Sequence, residues 1–508
     1  MKARTAQFQA ASLHGIEPPQ LELMGGDLNA PETLPTPSDL QPTRHLSALL
    51  ERCSNFIYAN DGRLKEKAFQ EVAKLLFAKL WEERHHPSDQ LRFGVTAKEF
   101  SALRRSEQAS FTDRIARVFA DASAKHPTLF SPGESLHLRP LTLAYVVNQL
   151  QLVDLSNTSF DIKGLAFQRL VSAAQRGARG EYFTPDPVVR LAVELLRPKA
   201  DDRVLDPACG SGGFLLATMR YAAHRFPATD IGAYAKTCLR GIDFNPDIAR
   251  VARLQLAFYC DSEDSILAEN ALLPYERVSD SGLASGTSGL TPESFDIVVT
   301  NPPFGKKGRV IDNTILAALD LGHRWSQRTD GEWIKLQDLA HDESPEVLFI
   351  ERCAGFLRPG GRMAIVLPDG ILQNPSAGYV RKWVLDHLKA LAVVSLPQET
   401  FVPFGTGIKT SLAIFEKPAA AGTRSAEESR SSVFFARVEQ IGYDVKGNPV
   451  FERDEHGRIL TNGDGQPRIA EDVTRIAQLF ADHSAGTLAG NRGDQTFTVQ
   501  HALLKDLR

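Results

Sequence analysis

The segment VLDPACGSGGF, residues 204–214, constrains the fold of this chain more than any other part of its sequence. An apolar run ends in Asp206, and a turn containing Gly210, Gly212 and Gly213 leads into a helical pattern. Glycines at such a strand-to-helix turn let the backbone approach a ligand and expose its N–H groups. The plain alternative is a tight turn. No G-K-[ST] follows and the G-x-G-x-x-G spacing is missing, so neither a P-loop nor a dinucleotide fingerprint is present.

Around this segment, short apolar runs alternate with helical patterns. Such alternation is typical of an α/β fold with a mostly parallel sheet that is covered on both faces. The predicted strands are Arg203–Asp206, Leu239–Asp243, Ser265–Ala268, Phe295–Thr300, Met363–Leu367, Leu391–Leu396 and Ser411–Phe415. The predicted helices between them include Phe214–His224, Ile248–Tyr259, Pro345–Leu357 and Val380–Leu388.

Changes in composition and in the spacing of apolar residues divide the chain into four parts. Residues 1–43 contain several prolines and few apolar residues, which predicts a flexible tail, and apolar residues at helical spacing predict a helical domain over 44–175. The α/β domain spans 176–417, with a Gly/Ser-rich surface loop at Ser279–Ser294. A linker then leads to a small α+β extension over 418–508. No internal repeat is expected.

Composition excludes several classes of protein. The 58 Lys and Arg residues against 62 Asp and Glu give a formal charge of −4, so no global basic charge attracts nucleic acid or anionic lipid. No apolar run reaches the roughly 18 residues of a membrane helix. The five cysteines are scattered without C-x-x-C, which predicts no disulfides, no zinc site and a reducing, cytoplasmic location. The histidines form no H-x-x-x-H or His/Cys cluster, so no metal is implied.

Two further strand ends carry polar residues. The strand Leu239–Ile242 ends in Asp243, where an acid can accept hydrogen bonds from both ribose hydroxyls of a nucleoside-like ligand. The alternative is that Asp243 only caps the helix beginning at Pro246. The third strand ends near Asn270.

A fourth strand, FDIVVT, runs directly into Asn301, Pro302, Pro303 and Phe304. The prolines stiffen the backbone and remove two N–H donors, which leaves carbonyl groups free to accept. An amide oxygen, a rigid carbonyl and an aromatic ring together suit a planar exocyclic amine. The alternative is a simple turn at the end of a strand.

With these motifs in order, the chain resembles N6-adenine-specific DNA methyltransferases, and within them the modification subunit of type I restriction–modification systems. The matching segments are GEYFTP (180–185), LDPACGSGGF (205–214), GIDFNP (241–246), NPPF (301–304), RPGGRMAIVLPDGIL (358–372) and VVSLPQETFVPFGTGIKTSLAIFEK (393–417). The resemblance implies a Rossmann-like methyltransferase sheet after a helical N-terminal domain. It also implies S-adenosylmethionine (SAM) as cofactor and methyl transfer to N6 of a flipped adenine in DNA.

The resemblance also assigns roles to residues. Phe183, beside Thr184, would pack against the methionine part of SAM, and Asp206 would accept from its amino group. Gly210, Ser211 and Gly212 would line the cofactor, Asp243 would bind the ribose, and Asn270 would lie near the adenine ring, where the family often has Asp. The catalytic set would be Asn301, Pro302, Pro303 and Phe304.

Partners follow in the same way. The resemblance implies double-stranded DNA, a separate specificity subunit and, as a further partner, a restriction subunit, but no membrane. Candidate phosphate contacts are Lys163, Arg169, Arg176 and Arg179, and then Lys306, Lys307, Arg309, Arg324 and Arg328, although both sets also suit an ordinary solvated face. Two alternatives stay open. They are a methyltransferase acting on protein glutamine or RNA, and a non-catalytic SAM-binding assembly subunit.

Overall fold

The structure, a computed structural model, describes most of the chain in two compact units, Met1–Gln175 and Arg176–Arg508. The described residues are 30–62, 64–85, 90–105, 110–175, 184–259, 263–287, 289–305, 308–419, 432–463, 465–487 and 496–500.

The first unit is helical, which confirms the predicted fold of this part. Leu46, Leu50 and Ile57 recur at helical spacing and are fully buried, as expected for the inner face of an amphipathic helix. Thr96 and Glu99 form a reciprocal capping box at the start of the third helix. The helices are α1 (Leu46–Asp61), α2 (Lys65–His85), α3 (Ala97–Arg104), α4 (Ser110–Lys125), α5 (Pro140–Leu150) and α6 (Phe160–Gln175).

Part of the predicted N-terminal tail is held against this unit. The Pro35 carbonyl accepts the Leu91 N–H at 2.8 Å, and Gln41 forms a β-bridge with Val153. The flexible segment predicted for residues 1–43 is therefore too long at its C-terminal end. Prolines suggested disorder there, but they also suit extended backbone that binds through its carbonyl groups.

The second unit is built on a nine-stranded sheet in the order β11-β10-β8-β9-β7-β4-β1-β2-β3. Its neighbours β1–β2, β2–β3, β1–β4, β4–β7 and β8–β10 pair in parallel, whereas β9 runs antiparallel between β7 and β8. A separate hairpin is formed by β5 and β6. The strands are β1 (Val204–Asp206), β2 (Leu239–Asp243), β3 (Ile266–Ala268), β4 (Phe295–Thr300), β5 (His323–Gln327), β6 (Trp333–Leu339), β7 (Leu357–Pro368), β8 (Lys389–Ser395), β9 (Thr410–Glu416), β10 (Ser432–Arg437) and β11 (Thr496–Gln500).

Helices connect these strands, and the predicted α/β class is confirmed. The segment Ser279–Ser294 is not only a loop, because its first residues complete a helix that buries Val278 fully. Its serines and glycines have low helix propensity, and the tertiary contact of Val278 overrides it. The helices are α7 (Asp186–Leu196), α8 (Gly213–Arg225), α9 (Ile231–Cys238), α10 (Pro246–Ala257), α11 (Tyr275–Ala284), α12 (Asn313–Ala317), α13 (Pro345–Phe356), α14 (Asp369–Gln373), α15 (Gly378–His387) and α16 (Val473–Ser484).

The position of β1 defines the functional edge of the sheet. The chain moves outwards from β1 in one direction through β2 and β3, and in the other direction through β4 and β7. Ligands of open α/β sheets bind beyond the carboxyl ends of the strands at such a reversal of order. Because β1 and β4 are parallel neighbours, Asp206 and Asn301 follow strands that end at the same edge.

The C-terminal extension shares this sheet. Phe434 of β10 pairs with Ala392 of β8, and Arg190 of α7 forms ion pairs with Glu471. We propose Lys417 as the boundary between the α/β domain and the C-terminal extension. The linker residues 420–431 lie outside the described residues.

An internal repeat occurs in this extension, so the expectation of none is wrong. Three successive turns begin at Asp444, Asp454 and Asn462, and each places glycine three residues later with a positive φ. In each, the side-chain oxygen of the first residue accepts the backbone N–H four residues on, at 2.9 Å. The spacing changes from ten residues to eight, which hides the repeat from a search for a fixed period.

Within the described ranges, no helix combines the length and apolar character that crossing a membrane requires.

Gly322 offers a test of the packing beside the β5–β6 hairpin. A Cβ there would lie 2.2 Å from the Leu316 carbonyl oxygen and 2.7 Å from its Cα. Backbone atoms cannot rotate away, so we expect Gly322→Ala to lower the free energy of unfolding by about 1–3 kcal/mol. Urea denaturation measures it. The matched control is Gly407→Ala, where a Cβ meets nothing within 4 Å. Equal midpoints for both variants would contradict the packing.

Candidate functional site

Asp206, the last residue of β1, is a fully buried carboxyl group. Its Oδ1 accepts the Ala208 N–H at 3.2 Å, and the Thr300 hydroxyl at the end of β4 lies near the carboxyl group, but Oδ2 accepts no hydrogen bond of normal geometry from the described residues. Burial raises the pKa of Asp206 to about 8, against the Thr300 hydroxyl and the Ala208 N–H, which lower it, and the nearby charge of Asp243 raises it further. A buried oxygen without a partner costs free energy, so a ligand that donates to it is the natural explanation.

The turn after Asp206 has the backbone that its glycines predict. Gly210 and Gly212 have φ values of 53° and 88°, a region that side-chain-bearing residues rarely adopt. The Cys209 N–H donates to the Ile242 carbonyl at 2.9 Å, which ties the turn to the end of β2. A Cβ on Gly210 would meet nothing within 4 Å, and Ser211 is half-buried. The turn therefore leaves space beside its backbone.

Asp243, at the end of β2, is held by two backbone bonds. Its Oδ2 accepts the Gly210 N–H and its Oδ1 accepts the Asn245 N–H, both at 2.9 Å. Burial raises its pKa. The helix cap at Pro246 is Asn245, whose side chain accepts from Asp247 and Ile248, so the alternative that Asp243 is merely this cap is wrong. The carboxylate instead joins the glycine turn to β2.

Asn270 follows β3 and is half-buried. Its Oδ1 accepts the Leu272 N–H at 3.0 Å, which leaves the Nδ2 amide group as the side chain's hydrogen-bond donor. Thr184 comes two residues before α7 and is also half-buried. Phe183 lies outside the described residues, so its assignment stays a prediction.

The segment after β4 has a second oxygen without a partner. Oδ1 of Asn301 is buried and accepts no hydrogen bond from the described residues. Pro302 is buried and Pro303 is exposed. Phe304 is only 7% exposed, and its ring meets Phe401 edge-on with centroids 6.0 Å apart. A base that stacks on Phe304 therefore has to reach a ring that is already packed on one side.

Two aromatic residues of this edge were not assigned from the sequence. Phe244 follows Asp243 directly and is 77% exposed, an unusual position for a phenylalanine. Phe401 lies in VVSLPQETFVPFG and is fully buried against Phe304. A large apolar residue immediately after a strand-ending acid is the signal that could have identified Phe244.

The basic residues after Phe304 are largely neutralised by carboxylates. Ion pairs join Arg309 to Asp342, Arg324 to Asp338 and Arg328 to Glu332. Lys306 and Lys307 lie outside the described residues. This pattern favours the solvated-face interpretation for the described arginines, because paired charges attract phosphate weakly.

The other set of basic residues is only partly described. In α6, Lys163 is buried and Arg169 is exposed, whereas Arg176 and Arg179 lie outside the described residues. The burial of Lys163 removes it from the candidates for phosphate contact. Arg169 stays a prediction.

Comparison with known proteins gives one family and several relatives. A profile of the N-6 DNA methylase family matches residues 161–463, which is more than half of the chain. The type I restriction enzyme StySPI methylase subunit of Salmonella potsdam is 24% identical over 480 residues, covering 91% of this chain and 80% of that protein.

Solved structures share the fold. A chain from a type I restriction–modification system, studied for its complex assembly, has a TM-score of 0.57 at 20% identity and covers 92% of this chain and 90% of its own. The methyltransferase subunit of a Streptococcus thermophilus type I system has a TM-score of 0.56 at 17% identity, covering 92% and 98%.

The raised pKa of Asp206 predicts how stability depends on pH. A carboxyl group with a pKa of about 8 when folded and an ordinary value of 3.8 binds more protons in the folded state between these values. Stability of the ligand-free protein should therefore fall as pH rises from about 4 to about 8 and level off above. Asp206→Asn should remove this component, so that its Tm relative to wild type increases over the same window.

Asp202→Asn is the matched control. Asp202 is also buried and lies 3.7 Å from Arg362, so its substitution removes an opposite-charge contact rather than an unpartnered acid. It should not reproduce the pH-dependent gain. A Tm difference between Asp206→Asn and wild type that stays constant across the window would contradict the proposed ionisation.

Proposed function

The chain belongs to the N-6 DNA methylase family, and we propose that it serves as the modification subunit of a type I-like restriction–modification system. Its activity is SAM-dependent methylation of adenine in DNA at N6. One observation carries the assignment of residues. Two buried oxygens accept no hydrogen bond of normal geometry in the described structure: Oδ2 of Asp206, which ends β1, and Oδ1 of Asn301, which follows the adjacent parallel strand β4.

We assign the cofactor pocket to the ends of β1, β2 and β3. Oδ2 of Asp206 accepts from the amino group of SAM, and the open side of Gly210 takes the ligand next to the backbone. Asp243 binds the ribose hydroxyls through lone pairs that its two backbone bonds leave available, since a carboxylate has about four acceptor positions. The exposed ring of Phe244 and the Nδ2 group of Asn270 suit the flat face and the edge of the adenine.

The rest of the predicted pocket surrounds these contacts. Ser211 and Gly212 continue the glycine turn, and Gly212 needs its positive φ to lead into α8. Thr184 and Phe183 would approach from the segment before α7. When bound, SAM supplies an electrophilic methyl group on a positively charged sulfur.

The catalytic step is assigned to Asn301 and Pro302. The lone pair of the adenine amine is delocalised into the ring, which makes N6 a poor nucleophile. Oδ1 of Asn301 and the Pro302 carbonyl accept the two N6 protons and draw the nitrogen towards tetrahedral geometry, so that its lone pair faces the methyl group. Pro302 and Pro303 keep this backbone rigid, so little reorganisation is needed during the reaction.

The target base has to leave the DNA duplex to reach this segment, at a cost of a few kcal/mol. Phe304 supplies the stacking surface, and Phe401 supports the ring from its edge. Stacking of this kind returns about 1–3 kcal/mol per base.

The alternatives have less support. A methyltransferase for protein glutamine or RNA could use the same amide and carbonyl acceptors, but the matching family is one of DNA methylases. A non-catalytic SAM-binding subunit would have no need for the unpartnered Asn301 oxygen.

We propose a separate specificity subunit as the main partner. The sequence contains no segment resembling a large target-recognition domain, and the described arginines after Phe304 are paired with acids. Target reading and much of the DNA affinity would then come from the partner. A restriction subunit and a cytoplasmic location belong to the same proposal, and the free thiols of Cys53, Cys209, Cys238 and Cys353 suit a reducing compartment.

Substitutions at the two halves of the site should separate binding from chemistry. We expect Asn301→Ala to slow methylation by about 100-fold or more, by analogy with lost oxyanion-hole donors, and to leave SAM affinity near wild type. Asp243→Ala should weaken SAM binding by about 1–3 kcal/mol, because it removes ribose acceptors and the anchor of Gly210. Single-turnover transfer from radiolabelled SAM and calorimetry measure the two effects.

Each variant is the control for the other. Asn301→Ala at near wild-type speed would reject the catalytic segment, and Asp243→Ala with unchanged SAM affinity would reject the ribose contact. Parallel assays on RNA and protein decide between the substrate classes.

DNA binding by the chain alone should be weak and without sequence preference. Its net charge is −4, so contacts with phosphate come from a local patch and should weaken steeply with salt. Fluorescence anisotropy with unrelated duplexes, at two salt concentrations and with or without a specificity subunit, measures this. Tight sequence-specific binding by the purified chain would contradict the need for the partner.

A further inference from the structure

Glu346, in the first turn of α13, is a buried carboxyl group that the sequence analysis did not single out. It is 7% exposed, and its Oε2 has no hydrogen-bond partner among the described residues. The backbone N–H of Gly305, the residue that follows Phe304, lies close enough to this carboxyl group to act against the rise in its pKa that burial causes. Glu346 therefore lies beside the end of the segment 301–305, which carries the proposed catalytic residues.

Two neighbouring glutamates show that an unpartnered oxygen is unusual here. Glu343 accepts the Ser344 N–H at 2.7 Å and the Tyr379 hydroxyl at 2.6 Å. Glu351, on the same helix, accepts the Asp320 and Leu321 N–H groups, both at 2.8 Å. Both oxygens of Glu343 and of Glu351 accept hydrogen bonds within the fold, whereas Oε2 of Glu346 has no described partner.

The same five-residue segment is thus flanked by two unpartnered buried oxygens, Oδ1 of Asn301 and Oε2 of Glu346. Buried polar atoms in proteins are nearly always satisfied, and exceptions call for an explanation such as a ligand. A planar base held at Asn301 lies against this segment and can satisfy both.

We propose that Glu346 contacts the target base: one carboxyl oxygen fixes the 301–305 segment through Gly305, and the other, protonated, donates a hydrogen bond to a ring nitrogen next to the adenine amine. This inference rests on the proposed function. Asn301 and Pro302 accept from N6, and N1 and N7 on either side of that amine are acceptors. The protein would thus present one donor, Glu346, beside two acceptors, Asn301 and Pro302. This arrangement fits the amine of adenine and disfavours guanine, which has a carbonyl oxygen in place of that amine.

The surroundings of Glu346 favour the protonated form that this contact requires. Burial raises the pKa of Glu346, and the charge of Glu343 raises it further. The N–H groups of Glu346 and Gly305 and the more distant guanidinium of Arg309 act in the opposite direction. Tyr379 also faces this group and is neutral, because burial raises the pKa of its phenol. On balance the pKa of Glu346 is higher than that of an exposed glutamate, so its protonated form is favoured more.

The first test is the pH dependence of methylation by the full chain with its specificity subunit, at saturating SAM in single turnover. The wild-type rate should fall as pH rises through the raised pKa of Glu346. Glu346→Gln keeps an oxygen for Gly305 and a donor for the base at every pH, so this fall should be missing while the rate at lower pH stays within about threefold of wild type. Glu346→Ala should be about tenfold slower.

Glu351→Gln is the matched control. Burial also raises the pKa of Glu351, but both of its oxygens bind backbone groups. It should keep the wild-type pH dependence. Unchanged SAM affinity by calorimetry shows that each variant is folded.

The second test uses DNA in which the target adenine, mapped by sequencing methylated DNA, is replaced by 1-deazaadenine or 7-deazaadenine. Wild type should lose more activity than Glu346→Ala on one of the two analogues, because only wild type has a hydrogen bond to lose. The inference would be overturned if wild type and Glu346→Ala lost the same activity on each analogue. It would also be overturned if the rate of Glu346→Gln fell with pH as that of wild type does. If wild type methylates no adenine at all, the proposed function fails instead.

Discussion

The parallel pairing of β1 with β4 is the constraint on which the site depends. Val204 lies opposite Ile297 and Leu205 opposite Val298, so the two strands end at one buried edge. These four paired residues are apolar, and the polar residues Asp206 and Asn301 come where the two strands stop. A shift by one residue would turn these side chains to other faces. Hydrophobic burial along the strands therefore fixes the positions of the polar groups proposed to act at their ends.

A second interaction joins the glycine turn to this edge. The Gly210 N–H bonds to Asp243, and the Cys209 N–H bonds to Ile242, so the end of β2 sets the shape of the turn that follows β1. The proposed ribose acceptor is thus also a structural anchor, and the two functions share one carboxylate. These backbone bonds hold the partly buried Asp243 carboxylate in place before any ligand binds.

The sequence predicted the central strands well because each is an apolar run bounded by turn residues. Val204–Asp206 and Phe295–Thr300 are buried throughout or nearly so, and such runs are typical of parallel strands. It did not predict β5 and β6, whose exposed and polar residues give no apolar run, nor β10, which follows a linker. Asp206 and Asn301 could be selected because they end strands. Glu346 could not, since its proposed role depends on its tertiary proximity to Gly305, to which no local pattern points.

The C-terminal extension contacts the proposed target pocket and also contributes to the sheet. The Tyr443 hydroxyl donates to the Thr400 carbonyl at 2.6 Å, and its ring packs edge-on against Phe404. Phe401, the residue after Thr400 in the same loop, in turn packs edge-on against Phe304. The first of the three repeated turns, which begins at Asp444, therefore buttresses the loop behind the proposed stacking ring. Because stacked pockets depend on the position of such rings to a fraction of an ångström, a segment that looks like an appendage in the sequence is tied to the chemistry at Asn301.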